Sequence, residues 1–368
     1  MKYYIIAGEA SGDLYGANLM KALREQDPQA EFRFWGGDAM RQEGGEPMRH
    51  IRDLAIMGFI EVVLHLRTVL GNISFCKKDI EAWNPDAVIG IDYPGFNLKI
   101  EKWAHEHGFK AIHYISPQLW AWKKGRLKGM RRYLDRLCYI LPFEQEFYAK
   151  NNLPQATYVG HPLLEIVQNR PKDEPFAFDD RPIIALLPGS RKQELTKCLP
   201  GMVGLARRHP EYHFVVGGMS LLGKKLYDRY IPSEAGISVV FDQTHRLLSQ
   251  AYAAVVCSGT ATLETGLFHV PQVVCYRGNP VSIAIARVLV SRHINHIALV
   301  DLIDDSNVVT ELLQQDYNDQ RLEEEFRLIT VDKGSREKML EGYRRVEEKL
   351  GSAGASRRAA EVIIETAQ

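Results

Sequence analysis

Val255-Val256-Cys257-Ser258-Gly259-Thr260-Ala261-Thr262-Leu263-Glu264 reads as a short β-branched strand, a turn of small residues and the start of a helix carrying a carboxylate. A turn built this way holds a ligand. Gly259 lets a backbone approach closely, Ser258 is placed to cap the helix, and the first free N–H groups of the helix face an anion above the strand. Glu264 then lies beside that anion, where it accepts hydrogen bonds from vicinal hydroxyls. Phosphate next to ribose satisfies both features. Taken alone, the stretch fits an ordinary strand-to-helix turn equally well, so its weight depends on the rest of the chain.

Outward from this stretch, the second half repeats the same alternation. A strand at 183–187 runs into Pro188-Gly189-Ser190-Arg191-Lys192-Gln193-Glu194 and a helix to about residue 208, and strands recur at 213–216, 238–241, 254–257 and 272–276. The first half is similar in kind, with a strand at 2–7, the junction Gly8-Glu9-Ala10-Ser11-Gly12-Asp13, an amphipathic helix to about 25, and strands at 31–35, 86–91, 111–115 and 136–141. Strands and helices at this spacing predict a parallel, doubly wound sheet in each half. Between 168 and 181 the pattern lapses into Asn169-Arg170-Pro171-Lys172-Asp173-Glu174-Pro175, a polar, proline-bearing linker. The expected architecture is α/β, with two Rossmann-like domains at 1–167 and 168–351 facing across a cleft that is the natural active site. The last helix, 352–368, needs a partner surface, either on the first domain or on the second subunit of a homodimer.

A chain of 368 residues suits two such domains. Its 46 basic residues balance 46 acidic ones, so no net charge draws it to nucleic acid. Cys76, Cys138, Cys198, Cys257 and Cys275 lie far apart without a C-x-x-C pair, which indicates neither a disulfide framework nor a zinc site and fits a reducing cytoplasm. The N-terminus reads as a strand rather than a signal peptide, and no apolar run is long enough to span a bilayer. A cytoplasmic chain, soluble or peripheral on a membrane, is expected. Glycines at 8, 12 and 16 do not make the dinucleotide fingerprint G-x-G-x-x-G, so no nicotinamide or flavin cofactor is expected.

Residues 57–75 are unusual, because Phe59, Ile60, Val62, Val63, Leu64, Leu66, Val69, Leu70 and Ile73 cover more than one stripe of a helix. Such a helix is either buried all round or meets something apolar. Arg41, Arg49, Arg52, Arg67, Lys77 and Lys78 flank it, which adds an acyl-chain pocket or a membrane-facing patch to the core-helix reading. Val63, Leu64 and Leu66 are the candidate lipid contacts.

Two helix N-termini in the second half, at Gly189-Ser190-Arg191 and Ser258-Gly259-Thr260, together suit a diphosphate. Backbone N–H groups hold the oxygens and Arg191 adds a charge-assisted contact. The chain has no D-x-D pair to hold a divalent metal on a nucleotide diphosphate, which leaves Arg191 and the helix dipoles to carry leaving-group charge. In the first half, Asp92 ends a strand at the edge where open α/β sheets bind ligands. It is the candidate general base, with His113 as the rival base and a turn-capping role for Asp92 as the plain alternative.

Gly8-Glu9-Ala10-Ser11-Gly12-Asp13, Gly90-Ile91-Asp92-Tyr93-Pro94-Gly95-Phe96-Asn97, Ser116-Pro117-Gln118-Leu119-Trp120-Ala121-Trp122, Leu187-Pro188-Gly189-Ser190-Arg191 and Ser258-Gly259-Thr260-Ala261-Thr262-Leu263-Glu264 resemble the lipid A disaccharide synthases, in order, from residue 3 to about 350. The resemblance implies a GT-B fold and an inverting, metal-independent glycosyl transfer without a cofactor. The donor would be UDP-2,3-diacylglucosamine and the acceptor the 6-hydroxyl of 2,3-diacylglucosamine 1-phosphate, joined in a β-1,6 disaccharide at the inner-membrane surface with release of UDP. It carries Asp92 over as the base, Gly189, Ser190, Arg191, Ser258, Gly259 and Thr260 as the nucleotide-phosphate site, and Glu264 as a ribose contact. It implies acceptor or lipid contacts at Ser11, Gly12, Asn97 and Trp120. One position departs from the pattern: Asp301 stands where asparagine is expected, and an added carboxylate near a diphosphate is unfavourable. The residues by themselves leave open a lipid-linked N-acetylglucosaminyltransferase, a UDP-N-acetylglucosamine epimerase, or a non-enzymatic lipid- or nucleotide-binding protein.

Overall fold

A computed structural model of the chain describes residues 1–54, 66–120, 125–170, 172–278 and 296–368. They form two compact units, Met1–Pro162 with Ser352–Gln368, and Leu163–Gly351. The division falls between Pro162 and Leu163, slightly before the expected boundary at 167.

Among the described residues the first unit holds seven parallel strands: β1 (Lys2–Ala7), β2 (Glu31–Gly36), β3 (Glu46–His50), β4 (Ala87–Ile91), β5 (Lys110–Tyr114), β6 (Arg136–Tyr139) and β7 (Ala156–Tyr158). Their spatial order is β3-β2-β1-β4-β5-β6-β7, so the winding reverses between β1 and β4. β1 and β4 are apolar almost throughout because both faces of a parallel sheet are covered. Where Tyr4 and Trp35 put polar atoms into this core they are satisfied in series: Trp35 Nε1 donates to Tyr4 Oη at 2.8 Å, and Tyr4 Oη donates to Asp79 at 2.7 Å.

The helix Leu66–Trp83 runs well past residue 75. Cys76 and Ile80 are fully buried, Ile73 and Phe75 pack on the same core, and Leu70 is 54 % exposed. Val63, Leu64 and the side chain of Leu66, the expected lipid contacts, lie outside the described residues. The helix Ala355–Ala367 belongs to the first unit, where it packs on the helix Ala10–Gln26 and on β5 and β6. Its inner face is Ala355, Ala359, Ala360 and Ile363, where the three alanines are small enough for close approach. Arg358 fastens it by donating from Nε to the carbonyl of Val159 at 2.8 Å.

The second unit repeats the plan with β8 (Ile183–Leu187), β9 (His213–Gly218), β10 (Ser238–Phe241), β11 (Ala251–Cys257), β12 (Gln272–Tyr276) and β13 (Thr310–Leu313), in the order β10-β9-β8-β11-β12-β13, all parallel. The proline-bearing stretch is less bare than its composition suggests. Phe176 stacks on Phe178 at 5.0 Å and Phe178 on His213 at 4.6 Å, which adds both rings to the core of this unit. Among the described residues no helix is long and apolar enough to cross a membrane.

Candidate active site

In each sheet the winding reverses once, and a ligand crevice forms at the strand ends flanking that point. In the second unit those strands are β8 and β11, which pair with Leu187 opposite Val256. The loops Pro188–Arg191 and Ser258–Gly259 therefore leave neighbouring strand ends on the same edge. Gly189 has φ 104°, a conformation that glycine adopts without penalty, and the side chain of Glu194 fills the space a β-carbon would need. Glu194 Oε2 accepts from the backbone N–H groups of Ser190 at 3.1 Å and Arg191 at 3.3 Å. Those two N–H groups, read from sequence as phosphate donors, are taken by Glu194. The charged group this loop presents is the Arg191 guanidinium, half exposed and 3.6 Å from Glu194 Oε1.

The partner loop differs from expectation in its cap. Gly259, not Ser258, is the N-cap of the helix Thr260–Leu267, at φ 156° and ψ −162°, and no side chain caps it. Ser258 continues the strand ladder by donating its N–H to Cys275 at 2.9 Å. One helical turn in, Thr262 Oγ1 accepts from the N–H of Leu299 at 3.2 Å, which ties the following segment to the start of this helix. Glu264 is 17 % exposed, and burial pushes its carboxyl up to about 7. His245 Nε2 lies 3.8 Å from it, but burial and the charge of Arg170 bring that imidazole down to about 4, so a neutral ring faces Glu264. Beneath both loops, the free thiols of Cys198 and Cys257 are buried with sulfurs 3.7 Å apart.

In the first unit the reversal brings together the ends of β1 and β4. Asp92 and Tyr93 follow β4 with φ 45° and 48°, two successive left-handed residues that are not glycine. Three features hold this unfavourable turn. The N–H of Asp92 donates to Tyr114 at 2.9 Å, the ring of Tyr93 lies against Gly8 where a β-carbon would collide with it, and Asn97 ties the strand ends together. Asn97 is fully buried, and its Nδ2 donates to the carbonyls of Asp92 at 2.7 Å, Ile6 at 3.2 Å and Ile91 at 3.3 Å. Its observed bonds are thus to the framework under Asp92.

Of the other residues singled out from sequence, Ser11 sits partly buried in the first turn of the helix Ala10–Gln26, and Gly12 faces the sheet against Ala7 and Ile91. Trp120 meets Phe143 edge-on at 5.0 Å. His113 is fully buried, with Nδ1 2.6 Å from Glu101 Oε1.

Several polar groups of this edge were not singled out from sequence. Asp13 is buried in the helix Ala10–Gln26, and its carboxylate accepts from the N–H groups of Gly37 at 2.6 Å, Ala39 at 3.0 Å and Met40 at 3.0 Å, at the start of the helix Asp38–Gln42. Glu144 is buried and pushed up to about 7 by desolvation, against bonds from Ser116 Oγ at 2.5 Å and the N–H of Leu141 at 3.2 Å. Glu101 follows Asn97 by four residues and so shares its helix face, the one signal that marked it.

Asp301 is 1 % exposed, in the helix Leu299–Asp304. Its Oδ1 accepts from the N–H groups of Val308 at 2.8 Å and Val309 at 3.0 Å, which shapes the turn into β13, while Oδ2 is buried without a hydrogen bond. Burial, reinforced by the nearby Glu311 and Asp304, lifts this carboxyl to about 7. Among the described residues, no cluster of His, Cys, Asp and Glu is arranged to hold a metal ion.

The model of the family Lipid-A-disaccharide synthetase matches residues 3–365. The chain belongs to this family. A lipid-A-disaccharide synthase from Syntrophus aciditrophicus is 37 % identical over 367 residues, covering 97 % of this chain and 95 % of the relative. One from Coxiella burnetii is 34 % identical over 369 residues, covering 98 % and 96 %. Among solved structures, a putative UDP-N-acetylglucosamine 2-epimerase from Listeria monocytogenes superimposes with a TM-score of 0.70 at 15 % identity, covering 98 % of this chain and 95 % of that one. The glycosyltransferase of kitacinnamycin does so with a TM-score of 0.64 at 17 % identity, covering 100 % and 99 %. Those likenesses show the fold alone, and with the two parallel-sheet units they identify it as GT-B. As a lipid-A-disaccharide synthase family member, the chain is a glycosyltransferase of lipid A biosynthesis.

Proposed function

We propose that this synthase transfers 2,3-diacylglucosamine from its UDP derivative to the 6-hydroxyl of 2,3-diacylglucosamine 1-phosphate, with inversion at the anomeric carbon and without a metal. The observation that carries the reading is the pair of loops on the adjacent strands β8 and β11, with Arg191 on one and Glu264 behind the other. The Arg191 guanidinium and the start of the helix Thr260–Leu267 hold the diphosphate and take up charge as UDP leaves. Gly189 and Ser190 shape the first loop, and Ser258, Gly259 and Thr260 the second. Glu264 accepts from the ribose hydroxyls. Asp92, on the first unit, removes the proton from the acceptor hydroxyl as its oxygen attacks the anomeric carbon and the bond to UDP breaks. Asn97 and Gly12 act from beneath the acceptor site, and Ser11 and Trp120 line it.

Both substrates carry acyl chains, so the protein works at the surface of the inner membrane, and Val63, Leu64 and Leu66 in the apolar stretch 57–75 meet lipid. Serine at these three positions lowers sedimentation with anionic vesicles while leaving the fold intact, and unfolding of that variant instead means that they are core.

The deciding experiment incubates the protein with UDP-2,3-diacylglucosamine, with and without acceptor and with and without EDTA. Acceptor-dependent UDP release that survives EDTA supports the proposal. A new sugar epimer without acceptor would make the protein an epimerase, release of neither would make it a binding protein, and a magnesium requirement would remove the metal-free mechanism.

A further inference from the structure

Behind Asp92 lies a buried pair that the proposed mechanism does not use. Glu101 is 1 % exposed and His113 fully buried, with Oε1 and Nδ1 2.6 Å apart. Both belong to elements that position Asp92. His113 lies on β5, whose next residue, Tyr114, accepts the N–H of Asp92, and Glu101 lies one helical turn beyond Asn97, which holds the Asp92 carbonyl. Gly90 makes room for them, because a β-carbon there would collide with Glu101 Oε1 and crowd Asn97. Three polar atoms of this assembly are buried without a hydrogen bond: Glu101 Oε2, His113 Nε2 and Asn97 Oδ1. Burying an incompletely bonded ion pair costs more stability than an apolar pair of the same volume. A core that only needed filling gains nothing from it.

We propose that Glu101 is a positioning residue for glycosyl transfer: buried against His113, it keeps a cationic imidazole next to Asp92. The inference rests on the reading of Asp92 as the base. Burial opposes the imidazolium, but the charge and hydrogen bond of Glu101, and then the charge of Asp92, outweigh it and lift His113 above its ordinary value. Burial lifts Glu101 too, so the pair holds one proton tightly. The charge of the second carboxylate, Asp92, also acts on the imidazole and favours the proton on the His113 side. Glu101 from the helix Pro94–Glu106 and Asp92 at the end of β4 are the charged groups that act on the ring, and β6 offers the apolar Leu137 beside it. An imidazolium there favours the carboxylate form of Asp92 and keeps the base free to accept a proton in mildly acidic solution.

The test reads charge and pH dependence, which a packing role would leave unmoved. In the wild-type protein labelled with nitrogen-15 histidine, the resonances lost in His113→Gln are expected to show both ring nitrogens protonated at pH 8, and a neutral ring there overturns the proposal. In Glu101→Gln the acidic limb of the kcat profile moves up by roughly one pH unit, with KM for both substrates and UDP affinity near wild type, and Glu101→Asp moves it part of the way back. If Glu101→Gln does not fold, the double variant Glu101→Gln/His113→Gln, which removes both partners, gives the same displaced limb. A profile lowered uniformly at every pH, or unchanged, overturns the proposal. Asp92→Asn separates the two readings: near-normal kcat in it sinks the role of Asp92 and this inference together. A kcat reduced by roughly 10²–10⁴ beside an unmoved limb in Glu101→Gln sinks this inference alone.

Discussion

Asn97 Nδ2 donates to the carbonyl oxygen of Asp92 at 2.7 Å, and the same carboxamide reaches Ile6 on β1 and Ile91 on β4. One side chain thus spans the point where the first sheet reverses and fixes a left-handed turn that Asp92 and Tyr93 would not adopt unaided. Asn97→Ala removes the two N–H hydrogens shared among these carbonyls, those of Ile6 and Ile91 buried and that of Asp92 partly so, at an expected cost of about 1–3 kcal/mol in urea unfolding. Because Asp92 then loses its fixed place, kcat falls at least tenfold (~1.4 kcal/mol) while UDP affinity in the second unit stays as it was. A stable variant with full kcat would show that the turn holds itself.

Asp13 makes a comparable claim on stability alone. Its carboxylate accepts three N–H groups at the start of the helix Asp38–Gln42, where the helix dipole also favours an anion. Asp13→Ala is expected to lose about 1.5–3 kcal/mol, and Asp13→Asn less, since an amide oxygen still accepts from some of those groups. Calorimetry or urea melts of the two variants check the order, and equal stability of both with wild type would refute it.

The doubly wound sheets were legible because the strands near the middle of each are continuous apolar runs. The edge strand β3, Glu46–His50, was not, since its side chains are mostly exposed and its sequence, Glu-Pro-Met-Arg-His, has no strand character of its own. β13, Thr310–Leu313, is half-buried rather than exposed, but at four residues with a charge inside it is too short a run to mark a strand. In the site, the glycine turns announced both loops of the second unit, but local spacing, with arginine in place of the usual serine or threonine three residues before Glu194, did not show that Glu194 folds back onto Ser190 and Arg191 as a capping box. Nor could it show that His113 and Glu101 meet, because their pairing depends on β5 and the helix before it lying side by side. Polar residues buried by tertiary packing leave no periodic trace, whereas those on turns do.

Arg191→Ala is expected to weaken UDP binding by roughly ten- to a hundredfold, the loss of one charge-assisted phosphate contact. Glu264 adds a pH dependence whose sign follows from its raised carboxyl near 7. As pH falls through 7 it takes up a proton and loses part of its capacity to accept from ribose hydroxyls, so UDP binding weakens toward pH 6. Glu264→Gln removes that component. Isothermal titration at pH 6 and 8 compares the two proteins, with the glutamine variant controlling for titration of UDP itself. Identical pH dependence in both would take Glu264 out of the site.

Asp301 offers the stability counterpart. Its Oδ1 does what an asparagine oxygen also does, accepting from Val308 and Val309, while Oδ2 is buried without a hydrogen bond, 3.9 Å from His296 Nδ1, and Glu311 and Asp304 add negative charge nearby. The folded carboxyl titrates near 7, well above an ordinary aspartate. The unfolded chain therefore releases this proton first as pH rises. Its contribution to stability is complete below about pH 4 and is lost progressively up to about pH 7, where the folded state must hold a buried carboxylate. Asp301→Asn removes the charge and keeps both bonds to the turn. It should match wild type near pH 4 and exceed it by about 1–3 kcal/mol at pH 8, the order of the desolvation cost it avoids. Urea unfolding across that range measures the difference. A variant less stable than wild type at pH 8 would mean that the carboxylate is held by a favourable contact, and the departure from asparagine at this position would then be an adaptation of this chain.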